Sequence, residues 1–328
     1  MLDPALQLDQ QYRAPLAKLA GARPDAPAWF TEALAHEPER QVLPVEGAGI
    51  ELLSWGERGK PGLMFVHGGR AHADWWSFIA PFFARERRVA ALSLSGMGRS
   101  DWRERYDIGQ YSREVMAAMR AAGLCEAEVP PLLVGHSFGS RALFFTAAST
   151  GIELAGAVVL DSAVSAPDAP DYQPAPGRPN RVYDSLEQAL AHFRLMPMQP
   201  CDNLFILDHI ARHSLKPAPN PDGGPDGGEG WTWRFDPFLM DKLAGDPGRS
   251  LGVRAEADAA LRAARCRLAF VKGELSSIVR SANLAYTRSI APAGAQFFSV
   301  PNAAHHLFLD QPLAVVESLS SIFKGWGL

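Results

Sequence analysis

Six short runs rich in apolar residues recur along this chain without alternating between apolar and polar positions. They are Leu63-Met64-Phe65-Val66, Val89-Ala90-Ala91-Leu92, Leu132-Leu133-Val134, Ala157-Val158-Val159-Leu160, Leu268-Ala269-Phe270-Val271 and Gln296-Phe297-Phe298-Ser299-Val300. A strand with one wet face alternates, so runs of this kind imply strands covered on both faces. An aromatic-rich stretch, Trp75 to Phe83, follows the first run, and stretches of helical composition, Tyr111 to Ala122 and Ser140 to Ser149, separate later ones. Strands alternating with helices give an α/β fold with a mostly parallel sheet and right-handed crossovers. Two further segments, Gln41 to Val45 and Ile50 to Trp55, flank Glu46-Gly47-Ala48-Gly49 and read as a hairpin at one sheet edge. A last helix is predicted from Pro312, with Leu313, Val316, Leu319 and Phe323 on one face.

Between about Val164 and Leu251 the rhythm breaks. Residues 166–179 hold five prolines, and residues 217–230 hold four prolines and five glycines. Helix-like stretches, Tyr183 to Phe193 and Leu204 to Ser214, lie between them. The segment reads as an insertion of helices tied by loops, with Asn220 to Gly230 expected to be mobile. The expected organisation is an extension over 1–40, a core over 41–163 and 251–328, and a helical cap over 164–250. Ala26 to Ala35 is a candidate helix in the extension, packing on the body or on a partner.

Composition narrows the class. The 328 residues carry a net charge of −4, with 47% hydrophobic and 21% charged. A chain of this length buries roughly three quarters of its unfolded surface and needs no disulfide or metal to hold it. Cys125, Cys201 and Cys266 lie far apart without CxxC spacing, which argues against a disulfide framework or a zinc site. The near-balanced charge leaves no electrostatic footprint for nucleic acid or an anionic membrane. Asp3, Pro4, Asp9 and Arg13 break up any apolar leader, and no stretch approaches the ~20 apolar residues of a membrane span. The expectation is a cytoplasmic monomer or homodimer acting on a small molecule without cofactor or metal.

The chemistry centres on Gly135-His136-Ser137-Phe138-Gly139, which joins an apolar run to a helical stretch. That context lets G-x-S-x-G present a serine hydroxyl at a helix N-terminus, where N–H groups favour a developing negative charge. A base is expected from Ala304-His305-His306-Leu307, after the last strand. Only one of two adjacent histidines can face the serine. His305 is preferred, because His306-Leu307-Phe308-Leu309 reads as packing toward the last helix. The third member is ambiguous. Asp161 ends the run Ala157 to Leu160. The other usual place, Lys272-Gly273-Glu274-Leu275-Ser276-Ser277, holds Glu274 but no aspartate. Asp161, Glu274 and a water-supported dyad stay open, in that order. Phe138 N–H and Gly69 N–H, the latter in His67-Gly68-Gly69-Arg70, are the expected oxyanion donors, with His67 holding the loop.

These motifs together resemble the α/β-hydrolase family over roughly residues 41–326. His67-Gly68-Gly69, Ser95-Gly96-Met97-Gly98-Arg99-Ser100, Gly135 to Gly139, and Ala304-His305-His306-Leu307-Phe308-Leu309-Asp310-Gln311-Pro312 fall in the family's order. The resemblance implies an eight-stranded sheet, a Ser-His-acid triad with His305 as its histidine, and a cap inserted after the sixth strand. Ser276 stands where many members carry the acid. In some members the acid follows the sixth strand, as Asp161 does here.

The expected activity is hydrolysis of a small, largely apolar or aromatic carboxylic ester or lactone through an acyl-enzyme. A carbon–carbon bond hydrolase and a degenerate ligand-binding protein on the same fold are the alternatives. Arg70, His72, Trp75 and Trp76 are expected at the pocket mouth. The insertion offers Phe193, Met196, Met198, Phe205, Trp231, Trp233 and Phe235. Of these, Arg70, His72, Trp75, Trp76, Trp231 and Trp233 are the expected substrate contacts, with a salt-bridged surface role open for Arg70 and a place in the core of the insertion open for Trp231 and Trp233.

Overall fold

The computed structural model describes residues 12–169, 175–220, 228–244 and 250–328. Its strands are β1 (Glu39–Val45), β2 (Ala48–Trp55), β3 (Gly62–Val66), β4 (Arg88–Leu92), β5 (Leu132–His136), β6 (Gly156–Leu160), β7 (Leu215–Asn220), β8 (Gly228–Trp233), β9 (Arg267–Gly273) and β10 (Gln296–Val300). Eight form one sheet in the order β1-β2-β4-β3-β5-β6-β9-β10. The pairings β1–β2 and β2–β4 are antiparallel, and β4–β3–β5–β6–β9–β10 run parallel.

The lack of alternation has a direct cause. Leu63 and Phe65 enter one buried cluster, while Met64 and Val66 enter the other. Val158 and Leu160 divide from Ala157 and Val159 in the same way. Successive side chains point to opposite faces, and both faces are covered. The helix Gly139–Ala148 buries Ala142, Leu143, Phe144 and Ala147 on one side. The last helix, Pro312–Gly325, begins with proline in its first turn and buries Val315, Leu319, Ile322 and Phe323. Its buried face is rotated from the expected one: Leu313 is exposed, because Val315 and Ile322 complete the inward stripe.

The insertion is not purely helical. It carries helices Leu186–Ala191, Leu204–His213 and Leu239–Ala244, but also the antiparallel hairpin β7–β8. Pro217 and Pro219 disguised β7. Both strands of a two-stranded sheet are edges, where a missing N–H costs little. Asn220 and residues 228–230, expected to be mobile, pair in that hairpin, and 221–227 lie outside the described residues. The N-terminal extension packs on core and insertion alike. Phe30 of the helix Ala28–Ala35 meets Phe78 at 5.8 Å and Phe205 at 4.9 Å, and Arg212 donates to the Gly21 carbonyl at 2.7 Å.

Trp75 and Trp76, expected at the pocket mouth, are core residues. Trp76 is fully buried, stacked between Phe65 at 4.8 Å and Phe308 at 4.5 Å. Trp75 is buried beside Phe308 and His306. Large aromatics here pack against one another in the core. Trp76→Ala should lower unfolding free energy by about 3–5 kcal/mol in urea titration. A loss under about 1 kcal/mol would mean that this layer is not closely packed.

Candidate active site

All the site elements sit at the carboxyl ends of the parallel strands, where open α/β sheets place ligands. β5 ends at His136, and Ser137 follows with φ +50°, a left-handed conformation rare for a residue with a side chain. The Ser137 N–H donates to the Leu160 carbonyl at 3.0 Å, and Ser140 Oγ donates to the Gly135 carbonyl at 2.9 Å. This turn needs glycine at its close approach to β3. A Cβ on Gly139 would lie 2.4 Å from the His67 carbonyl oxygen.

His305 Nε2 lies 2.9 Å from Ser137 Oγ, and His305 Nδ1 lies 2.6 Å from Asp161 Oδ2. Asp161 also has a positive φ, +45°, and is almost wholly buried. Its Oδ1 accepts from the Gly273 N–H at 2.8 Å, and its Oδ2 accepts from Ser276 Oγ at 2.6 Å. An ionised carboxylate only accepts, so the imidazole proton rests on Nδ1, and Nε2 faces the serine with its lone pair. Ser276, in the segment that offered Glu274, is a hydrogen-bond donor to Asp161, which directly follows β6. Glu274 is exposed and turned away, accepting from the Asn302 N–H at 3.0 Å.

Three neighbouring histidines, His67, His136 and His306, are held neutral by burial. His67 accepts from the Leu94 N–H on Nε2 at 3.0 Å and donates from Nδ1 to the Gly68 carbonyl at 2.7 Å. Its pKa is pushed down to about 3 by burial. This ties the loop after β3 to the end of β4. His136 donates from Nε2 to the His305 carbonyl at 3.0 Å, and its pKa falls well below the usual histidine range through burial. His306 is buried with Nδ1 on Gln199 and faces away from Ser137.

Gly69 and Phe138 lie side by side: a Cβ on Gly69 would be 3.6 Å from that of Phe138. Among the described residues, neither N–H is taken up by a carbonyl. Gly68 must be glycine, because a Cβ there would come within 2.8 Å of His136 Nδ1.

The expected substrate contacts divide. Arg70 is exposed at φ +61°, with its guanidinium 5.3 Å from the ring centroid of Phe235 in the insertion. His72 is buried and structural: its Nε2 bonds Ser214 Oγ at 2.9 Å, joining the loop after β3 to the insertion. Trp233 packs edge-on to Tyr183 and close to Phe193, while Trp231 exchanges backbone bonds with Tyr183 at 2.8 Å. Both tryptophans pack within the insertion, because the hairpin needs an apolar face to rest on its helices. His136, Gln199 and Ser276 were missed as site residues, although Ser276 stood inside the segment searched for the acid.

The family model described as the alpha/beta hydrolase family matches residues 63–318. The chain belongs to the alpha/beta hydrolase family. The chain is 31% identical over 116 residues to lipase LipV of Mycobacterium tuberculosis, covering 35% of this chain and 42% of the lipase. It is 38% identical over 96 residues to the dihydrolipoyllysine-residue acetyltransferase component of the acetoin cleaving system of Pseudomonas putida, covering 28% of this chain and 25% of that protein. The matches therefore span less than half the length of these curated relatives. The solved structure of the M. tuberculosis esterase Rv0045c superposes with a TM-score of 0.63 at 20% identity, covering 98% of this chain and 99% of that one. At that identity the likeness is one of fold. No helix among the described residues is long and apolar enough to cross a membrane.

Proposed function

We propose that this alpha/beta hydrolase is a serine hydrolase of small carboxylic esters or lactones, acting through an acyl-enzyme. The observation that carries the reading is the hydrogen-bonded chain Asp161–His305–Ser137, anchored at a serine with φ +50°. Ser137 Oγ attacks the carbonyl carbon as His305 Nε2 takes its proton, and Asp161 stabilises the imidazolium that forms. The Gly69 and Phe138 N–H groups receive the oxyanion, each worth roughly 3–4 kcal/mol of transition-state stabilisation. His305 then protonates the leaving alcohol. Water, deprotonated in turn by His305, releases the acid and restores Ser137. The similarity to a lipase and to an esterase fold supports this class of substrate.

The test is a panel of p-nitrophenyl esters and lactones of graded acyl size. Turnover with saturation kinetics is expected on short or aromatic acyl groups, and no turnover on any member would overturn the reading.

Arg70 refines the expected substrate. Its side chain has no carboxylate partner among the described residues, and it adjoins the Gly69 donor. A guanidinium so placed can take a substrate carboxylate in a two-point contact. Arg70→Gln should then raise KM for an ester bearing a carboxylate by about 10- to 100-fold, the value of a charged hydrogen bond. Neutral esters should be little affected. Equal effects on both would refute the contact.

A further inference from the structure

We propose that Gln199, a residue of the insertion, is a positioning residue for His305, so that the insertion completes the cradle of the base. The inference rests on the reading of His305 as that base. Three consecutive backbone groups around His305 are fixed by side chains. The Ala304 N–H donates to Asp310 Oδ2 at 2.8 Å, the His305 carbonyl accepts from His136 Nε2 at 3.0 Å, and the His306 N–H donates to Gln199 Oε1 at 2.9 Å.

Gln199 is buried at 7% exposure, and the pattern of its partners fixes its amide. Oε1 accepts from the His306 N–H and from His306 Nδ1, both at 2.9 Å. Nε2 donates to both Asp310 oxygens, at 3.0 and 2.9 Å. No other neutral side chain of this length offers an acceptor on one side and a donor on the other. Neighbouring residues of the insertion reinforce the join, with Asn203 Nδ2 donating to the carbonyls of Leu309 at 2.7 Å and Asp310 at 3.1 Å. A lid that only covered substrate would have no need to grip the loop that carries the base.

The groups around Asp310 matter for the test. Its carboxyl faces Gln199, the Ala304 N–H, the Cys201 thiol and the Asp202 carboxylate, and burial pushes its pKa up to about 6. Gln199→Met keeps the length and removes both polar ends. Its kcat should fall by about 10- to 100-fold, the cost of misplacing a catalytic group by a fraction of an ångström to one ångström. KM should stay within about threefold, because substrate contacts are untouched. Gln199→Glu keeps the acceptor for His306 but sets a second carboxyl against Asp310. When that pair holds one proton, its O–H reproduces the amide donor; when both ionise, they repel. The ratio of its kcat to wild type should therefore fall from about pH 6 to about pH 8.

A second readout is independent of turnover. The His305 Nδ1 proton, shared with Asp161 at 2.6 Å, should give a downfield proton resonance in wild type that shifts or broadens in Gln199→Met. Wild-type kcat and an unchanged resonance in the methionine variant would overturn the proposal, as would a pH-independent deficit in Gln199→Glu. Absence of Ser137-dependent turnover in wild type would count against the hydrolase reading alone, because the resonance still decides the cradle.

Discussion

Ser137→Ala removes ester turnover, with kcat/KM expected to fall by about 10⁵- to 10⁶-fold on the best p-nitrophenyl ester. The hydroxyl lies 2.9 Å from His305 Nε2, and alanine leaves that nitrogen with no serine proton to take. Residual catalysis would come only from the two N–H donors and from binding. The left-handed backbone is shared by serine and alanine, so thermal stability should change little and the loss is chemical. Activity within tenfold of wild type would place the chemistry on another residue.

Asp161→Asn should cost about 10⁴-fold in kcat. The derivation is in the partners. The Gly273 N–H requires an acceptor at Oδ1, so asparagine must keep its carbonyl there and turn its NH₂ toward His305 Nδ1. That donor forces the imidazole proton onto Nε2, and a protonated Nε2 cannot take the serine's proton. Ser276 Oγ, which donates to Asp161 Oδ2, loses its acceptor in the same step. Glu274→Gln is the control and should leave kcat unchanged, because that side chain reaches only the Asn302 N–H. The reverse ranking of the two variants would refute the role of Asp161.

The sheet was legible in the sequence because its physics is local. Runs such as Leu63 to Val66 must be covered on both faces, and the two buried clusters divide their side chains accordingly. The turn at Ser137 was legible because Gly135 and Gly139 flank it in sequence, although the backbone that Gly139 must clear is the distant His67 carbonyl. Asp161 could be preferred over Glu274 as the partner of His305 but not decided, because 144 positions separate the pair and only the sheet order β6-β9-β10 brings the loop after β10 to the end of β6. Aromatic residues were the least legible. Trp75 and Trp76 are buried and Trp231 and Trp233 half-buried, and composition does not distinguish a pocket lining from a core. The hairpin β7–β8 was hidden because Pro217 and Pro219 oppose a strand everywhere except at an edge. Gln199 had no local signal at all. Its importance lies in a buried amide between His306 and Asp310, and an isolated glutamine in a loop announces nothing of that kind.

The central claim is that His305 and the strained turn make Ser137 a nucleophile. Treating the wild-type protein with a fluorophosphonate and mapping the adduct by peptide mass spectrometry tests it most directly. The account predicts one phosphonyl group on the peptide containing Ser137, formed rapidly in wild type and at least about 10³-fold more slowly after His305→Ala, which removes the base. No adduct at Ser137, or labelling at an unchanged rate in the His305 variant, would contradict it.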